Sequence, residues 1–149
     1  MKIVFVCLGN ICRSPMAEFI AKYYTKRRKI KNLEISSCGT ANYHEGQQMH
    51  HETKVILDRY DIPRFGFRAK VINKEIFDSA NYILVMDNLN YEDVVNKFGQ
   101  NKKILKITDF CSLNYNEVPD PWYSKNFEET YEILLNSINN FFMWLKLND

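Results

Sequence analysis

The chain has 149 residues, the length of one domain with its own hydrophobic core. Apolar residues make up 46% and charged residues 26%, which is ordinary for a globular protein. The formal net charge of +2 is close to balance, so no strong overall field favours nucleic acid. No apolar run approaches the ~20 residues of a membrane-spanning helix. The sequence therefore predicts a single domain, residues 1–149, that binds neither nucleic acid nor a membrane.

Strands alternate with helices along the predicted chain. Short aliphatic runs predict buried strands, and apolar residues at helical spacing predict helices. The predicted strands are 2–6, 33–37, 82–86 and 103–107, and the predicted helices are 14–28, 50–60, 90–98 and one from 127 onward. Loops are predicted at 39–46 and 114–126. This alternation is typical of an α/β fold with a parallel sheet, in which ligands bind at the carboxyl ends of the strands.

A cysteine ends the first predicted strand, at the edge where ligands are expected. Five residues separate Cys7 from Arg13, and Ser14-Pro15 then opens a helix, with Pro15 expected at its first position. A tight loop before a helix N-terminus forms an anion cradle, because its N–H groups and the helix dipole attract negative charge. Arg13 adds planar donors that match two phosphate oxygens.

Cys7 lies in this positive field, which favours the nucleophilic thiolate. A strand-end cysteine alone would be more consistent with a buried structural thiol. The arginine and the helix start favour a catalytic role instead. Gly9 and Asn10 both tolerate the positive φ that a loop folded around an anion requires.

These residues resemble the active-site loop of the low-molecular-weight protein tyrosine phosphatases, V-C-x-G-N-I-C-R-S-P-x-A-E. The chain matches it over residues 6–15 and again at Ala17 and Glu18. Segments that resemble the family's later motifs follow in the same order at 37–43, 85–87 and 118–123. The resemblance implies a three-layer fold, with a four-stranded parallel sheet and helices on both faces.

The resemblance also implies a two-step reaction through a phosphocysteine, without a metal or an organic cofactor. Cys7 would be the nucleophile and Asp120 the general acid. The expected phosphate-binding residues are Leu8, Gly9, Asn10, Ile11, Cys12, Arg13 and Ser14. Ser14 is either only a helix cap or also a donor to the Cys7 sulfur. Asp87 is either a helix cap or an active-site residue.

Aromatic residues near the second loop and the acid loop are expected to form the walls for a flat aryl phosphate. These are Tyr43, Trp122 and Tyr123, which the resemblance places beside the site. The expected partners are therefore phosphotyrosine-containing proteins, with phosphate or other oxyanions in the site. The three histidines, His44, His50 and His51, lack a zinc-like spacing with the cysteines and are expected to be surface or loop residues.

The other cysteines have different expected roles. Cys12 is interpreted as a resolving thiol that would form a disulfide with oxidised Cys7 and prevent over-oxidation. Cys38 and Cys111 are expected to be inert core thiols. Since we see no export signal and two cysteines lie in the phosphate loop, we expect reduced thiols and a cytoplasmic location.

Three alternatives compete with a tyrosine phosphatase. Arsenate reductases share the fold and the loop, but they need additional cysteines after the third strand, and residues 87–101 contain none. Protein-arginine phosphatases have Thr at the position of Ile11, and an apolar Ile11 favours an aromatic leaving group. A phosphotyrosine-binding module without activity is disfavoured because Cys7, Arg13 and Asp120 are all present.

Overall fold

Four parallel strands form the centre of the molecule in the order β2-β1-β3-β4. The strands are β1 (Lys2–Cys7), β2 (Glu34–Gly39), β3 (Tyr82–Val85) and β4 (Ile104–Lys106). This computed structural model describes residues 1–147. The chain moves from β1 to one side for β2 and then to the other side for β3. This reversal beside β1 is the position where open α/β sheets bind ligands.

In the described part of the chain, six helices surround the sheet, and a short 3₁₀ helix over Ile107–Phe110 follows β4. The helices are α1 (Arg13–Arg27), α2 (His51–Arg59), α3 (Lys74–Ser79), α4 (Asn88–Phe98), α5 (Pro121–Ser124) and α6 (Phe127–Leu147). Within residues 1–147, none of them combines the length and apolar character needed to cross a bilayer.

The alternation of side chains along β1 creates two separate cores. Ile3 and Phe5 point to one face, where the core includes residues of α1, α2 and α6. Val4 and Val6 point to the other face, where the core includes residues of α3 and α4. The sheet is therefore covered on both sides, and the predicted three-layer architecture is confirmed.

Several predicted boundaries were wrong. β2 begins at residue 34 and extends to Gly39, and α3 was not predicted. The predicted loop 114–126 contains α5, and Ile107, predicted in the fourth strand, begins the 3₁₀ helix. α1 begins at Arg13, so Pro15 occupies the third helical position and not the first. Proline is tolerated there because the first N–H groups of a helix have no intrahelical acceptor.

Candidate active site

A pocket of about 230 Å³ lies at the carboxyl end of β1. Its floor comes from the loop that joins β1 to α1, including Cys7 and Arg13. Its walls come from two distant segments, the loop after β2 and the segment around α5. The residues of these walls are Tyr43, His44, Asp120, Trp122 and Tyr123. The structure thus brings the predicted nucleophile, arginine and acid to one pocket.

The carbonyl groups of the floor loop point away from the pocket. The carbonyl oxygens of Cys7, Leu8 and Ile11 accept hydrogen bonds from the backbone N–H groups of surrounding residues. The donors are Thr40 at 3.0 Å, Ala41 at 2.9 Å and His50 at 2.8 Å, in that order. In a trans peptide the N–H group points opposite to the carbonyl group. The following N–H groups of the loop are therefore directed toward the pocket, as an anion cradle requires.

Asn10 holds the loop from behind. It has a positive φ of 56°, and its side chain is fully buried outside the pocket. Its amide nitrogen donates to Ser14 Oγ at 2.8 Å and to Ser37 Oγ at 3.0 Å. Ser37 in turn donates to Glu18 Oε1 at 2.6 Å. The side chains of Asn10 and Ser14 thus support the loop, and only their backbone groups could contact a phosphate.

Gly39, the last residue of β2, allows a close backbone approach to the loop. A Cβ atom at this position would lie 2.7 Å from the carbonyl oxygen of Leu8 and 3.1 Å from the nitrogen of Asn10. Both neighbours are backbone atoms, so they cannot rotate away. Any larger residue at position 39 would displace the floor of the pocket.

Ser14 is the nearest hydrogen-bonding neighbour of the Cys7 sulfur. Its Oγ lies 3.0 Å from Sγ, and it already accepts a hydrogen bond from Asn10. The hydroxyl hydrogen can point either to the Cys7 sulfur or to the carbonyl oxygen of Cys38, which lies 3.4 Å from Oγ, and a thiolate at Cys7 can only accept it. Ser14 lies within α1 and is not its cap, because the capping position is occupied by Cys12.

Arg13 is almost completely buried, with 2% of its surface exposed. Its Nη1 donates to Asp87 Oδ2 at 2.7 Å and to the carbonyl oxygen of Val118 at 2.9 Å. Its Nη2 lies 3.6 Å from Asp120 Oδ2. Burial by itself would lower the pKa of Arg13, but Cys7, Asp87 and Asp120 together raise it above its ordinary value. The guanidinium is therefore fixed in orientation and always charged.

Asp87 caps a helix, which is one of the two roles that the sequence left open, and it also pairs with Arg13 without itself lining the pocket. Its Oδ1 accepts the backbone N–H of Asn90 at 2.8 Å and so caps α4. Its Oδ2 accepts from Arg13. The same carboxylate thus begins a helix and orients the arginine below the pocket.

Asp120 lies at the rim of the pocket, between Pro119 and Pro121. Its Oδ1 accepts the backbone N–H of Trp122 at 3.0 Å, which caps α5. Oδ2 is the oxygen nearer to Arg13. A carboxyl group at this edge can exchange a proton with an oxygen of a molecule bound above Cys7.

The aromatic walls are more open than a deep slot would be. Tyr43 is 70% exposed, Tyr123 is 78% exposed and Trp122 is 44% exposed. His44, which the sequence suggested only as a surface or loop histidine, lines the pocket, and its ring centroid lies 5.9 Å from that of Trp122. The only signal in the sequence for a place in the pocket wall was that His44 directly follows Tyr43, a predicted wall residue. Within residues 1–147, no group of three or more His, Cys, Asp and Glu side chains is arranged to hold a metal ion.

All four cysteines are free thiols. Burial raises the pKa of Cys12 to about 12, and the nearby Cys7 and Asp120 add to this effect. Burial also raises the pKa of Cys38 to about 12. Cys111 is only half-buried and accepts the N–H of Leu113 at 3.4 Å, so it is not the core thiol that the sequence suggested.

Comparison with known proteins agrees with this geometry. Residues 2–149 match the family model of the low molecular weight phosphotyrosine protein phosphatases. The chain belongs to this family. It is 37% identical to the low molecular weight protein-tyrosine-phosphatase PtpA of Staphylococcus aureus, over 140 residues that cover 93% of this chain and 89% of PtpA.

Two solved structures show that this phosphatase-family chain is also similar in fold. YfkJ from Bacillus subtilis superimposes with a TM-score of 0.96 at 29% identity, covering 100% of this chain and 96% of YfkJ. A protein tyrosine phosphatase from Entamoeba histolytica, solved with Hepes in its active site, gives a TM-score of 0.91 at 33% identity. That alignment covers 99% of this chain and 98% of the other.

Proposed function

We propose that this chain hydrolyses phosphotyrosine in proteins, and small aryl phosphates, through a phosphocysteine intermediate. One observation carries the proposal: Cys7, Arg13 and Asp120 line the same pocket, and the hydroxyl of Ser14 lies 3.0 Å from the Cys7 sulfur. A nucleophile, a fixed cation and a proton donor are the three parts that cysteine-dependent phosphoryl transfer needs.

In the first step the phosphate lies on the N–H groups of the floor loop and on Arg13. The Cys7 thiolate attacks phosphorus, so that a sulfur–phosphorus bond forms while the bond to the tyrosyl oxygen breaks. Asp120 gives its proton to that oxygen, and tyrosine leaves neutral. Arg13, held by Asp87 and Val118, stabilises the equatorial oxygens throughout the transfer.

In the second step a water molecule attacks the phosphorus of the phosphocysteine. Asp120, now a carboxylate, takes a proton from that water, and the sulfur–phosphorus bond breaks to release phosphate. The Cys7 thiolate is the leaving group. Ser14 donates its hydrogen bond to the departing sulfur, which lowers the cost of the negative charge.

An aromatic substrate is favoured by the residues around the phosphate site. Tyr43, Trp122 and Tyr123 would contact the ring of a phosphotyrosine, while Ile11 adds an apolar surface near the floor. Contact with aromatic side chains adds apolar burial that phosphoserine cannot match. A polar guanidinium leaving group, as in phosphoarginine, would gain less from these walls.

Cys12 would act as the resolving thiol in this proposal. The protein would work as one domain, and its location would be the cytoplasm. The four free thiols, two of them at the floor of the pocket, support the redox role and the cytoplasmic location. The high pKa of Cys12 makes its thiolate rare at neutral pH. Oxidation of Cys7 to a sulfenic acid removes the Cys7 charge, which is one of the causes of that high pKa.

The decisive experiment compares hydrolysis of matched phosphotyrosine, phosphoserine and phosphoarginine peptides. We expect kcat/KM to be at least about tenfold higher for phosphotyrosine, the advantage that ~1.4 kcal/mol of ring burial would give. Cys7→Ser should abolish turnover, and rapid quenching of the wild type should trap phosphate on Cys7. Cys111→Ser, outside the pocket, is the matched control. Faster hydrolysis of phosphoarginine, or phosphate trapped on another residue, would contradict the proposal.

A further inference from the structure

His44 is an ionisable wall residue that the proposed reaction does not use. Its ring packs directly on the floor loop, because a Cβ atom on Gly9 would lie only 2.9 Å from Cδ2 of His44 and 3.8 Å from Nε2. On its other edge, Nδ1 lies 3.1 Å from Oε1 of Gln47. Glycine at position 9 therefore makes room for the imidazole, whose Nε2 edge faces the phosphate loop.

Lys125 is a second cation beside the same wall. Its Nζ lies 5.6 Å from the centre of the Trp122 ring. Its backbone adopts a left-handed conformation with φ of 61°, at the residue that ends α5. Glycine is the usual residue at such a position, since a side chain there is strained. The ammonium group thus lies beside Trp122, and Lys125 itself does not line the pocket.

Other charged and titratable groups surround His44. Those on the packed segments are Cys7 and Arg13 of the floor, Tyr43 and Glu45 of its own loop, His50 before α2, and Asp120 and Tyr123 of the opposite wall. Arg13 is buried and paired with Asp87. His50 stacks on Phe127 and caps α2. His50 also lies against Trp122, with 5.8 Å between the ring centroids, but it does not line the pocket and burial lowers its pKa. His44 and Lys125 are thus the other two basic side chains beside Trp122.

We propose that His44 and Lys125 select phosphotyrosine sites that carry Asp or Glu next to the phosphotyrosine. This inference rests on the proposed function. When the phosphate lies on the floor, the tyrosine ring passes the walls and the peptide backbone stays at the rim. A carboxylate on a neighbouring residue then lies within reach of either cation. Histidine is the side chain type whose charge ordinarily changes between pH 5 and 8, whereas lysine ordinarily stays charged over that range.

The test measures kcat/KM for two phosphotyrosine peptides that differ only in having Asp or Lys on both sides of the phosphotyrosine. The readout is the ratio of the two values at one pH, so titration of the catalytic groups and of the phosphate largely cancels. Each exposed ion pair is expected to change the ratio roughly twofold to fivefold. The wild-type ratio should favour Asp and should fall by about that factor between pH 5.5 and pH 8.

Two variants separate the contributions. His44→Gln should remove the fall of the ratio with pH, and Lys125→Gln should lower the ratio by a similar factor at both pH values. His51→Gln is the matched control, because His51 is exposed at the start of α2 and does not line the pocket. It should leave the ratio and its pH dependence unchanged. Thermal unfolding of each variant checks that the fold is intact.

Two different failures can be told apart. If the wild type does not hydrolyse either peptide, the proposed function itself is wrong. If both peptides are hydrolysed with a ratio near one at both pH values, the function stands and this inference is overturned. A pH-dependent ratio that persists in His44→Gln would likewise reject His44 as its source.

Discussion

Replacement of Asp120 by asparagine isolates proton donation from the other roles of this residue. The carboxylate has two structural contacts: Oδ1 caps α5 through the N–H of Trp122, and Oδ2 lies 3.6 Å from Arg13 Nη2. The amide oxygen of asparagine can still cap the helix, because Asn and Asp are equally good at this position. It cannot give a proton to a leaving group. Asp120→Ala removes both the acid and the cap.

The expected magnitudes follow from these contacts. Loss of a positioned acid should lower kcat on phosphotyrosine peptides by ~10²–10⁴. Asp120→Asn should change the free energy of unfolding by less than ~1 kcal/mol, whereas Asp120→Ala should cost about 1 kcal/mol more through the lost cap. Because the substitution removes a negative charge close to Arg13, inhibition by inorganic phosphate should be unchanged or stronger.

The assay uses a series of aryl phosphates whose leaving phenols differ in acidity. A phenol that is already a weak base needs little protonation, so the loss of kcat should shrink along the series. Asp61→Asn is the control. Asp61 is exposed and has a left-handed φ of 56°, a conformation that asparagine also tolerates. Equal losses of kcat on all leaving groups would show that Asp120 acts only through structure.

Three further outcomes are expected. Asp87→Asn keeps the cap of α4 but weakens the charge-assisted bond to Arg13, so urea unfolding should show a loss of about 1–2 kcal/mol; a change below ~0.5 kcal/mol would contradict this role. Peroxide should inactivate the wild type reversibly and Cys12→Ser irreversibly, with Cys12 joined to Cys7 in the wild type by mass spectrometry. Since burial is the largest cause of the raised pKa of Cys12 and persists after Cys7 is oxidised, disulfide formation should quicken by up to about tenfold per pH unit from pH 7 to 9; a rate independent of pH would refute attack by the Cys12 thiolate. Trp122→Ala should raise KM for aryl phosphates more than for a small alkyl phosphate, and equal increases would argue against a wall that contacts the ring.

The sequence by itself determined the central part of the site. Residues 7–15 are contiguous, and their roles depend on a strand, a tight turn and a helix start that follow one another directly. Local hydrogen-bonding preferences and the period of apolar residues are sufficient to predict such a unit. The same periods predicted most of the strands and the longer helices. They missed α3 and α5, which have only six and four residues and thus too few turns for a helical period.

Only the tertiary structure decided how distant segments complete the pocket. Asp87 lies 74 residues from Arg13 in the chain, and the Val118 carbonyl lies 105 residues away. Neither contact has a pattern in the sequence, since each depends on where the ends of β1 and β3 and the later loops meet. The same is true of His44, whose place against Gly9 depends on the close approach of β2 to the floor loop. The raised pKa of Cys12 has the same origin, because burial comes from the packing of neighbours that are remote in sequence.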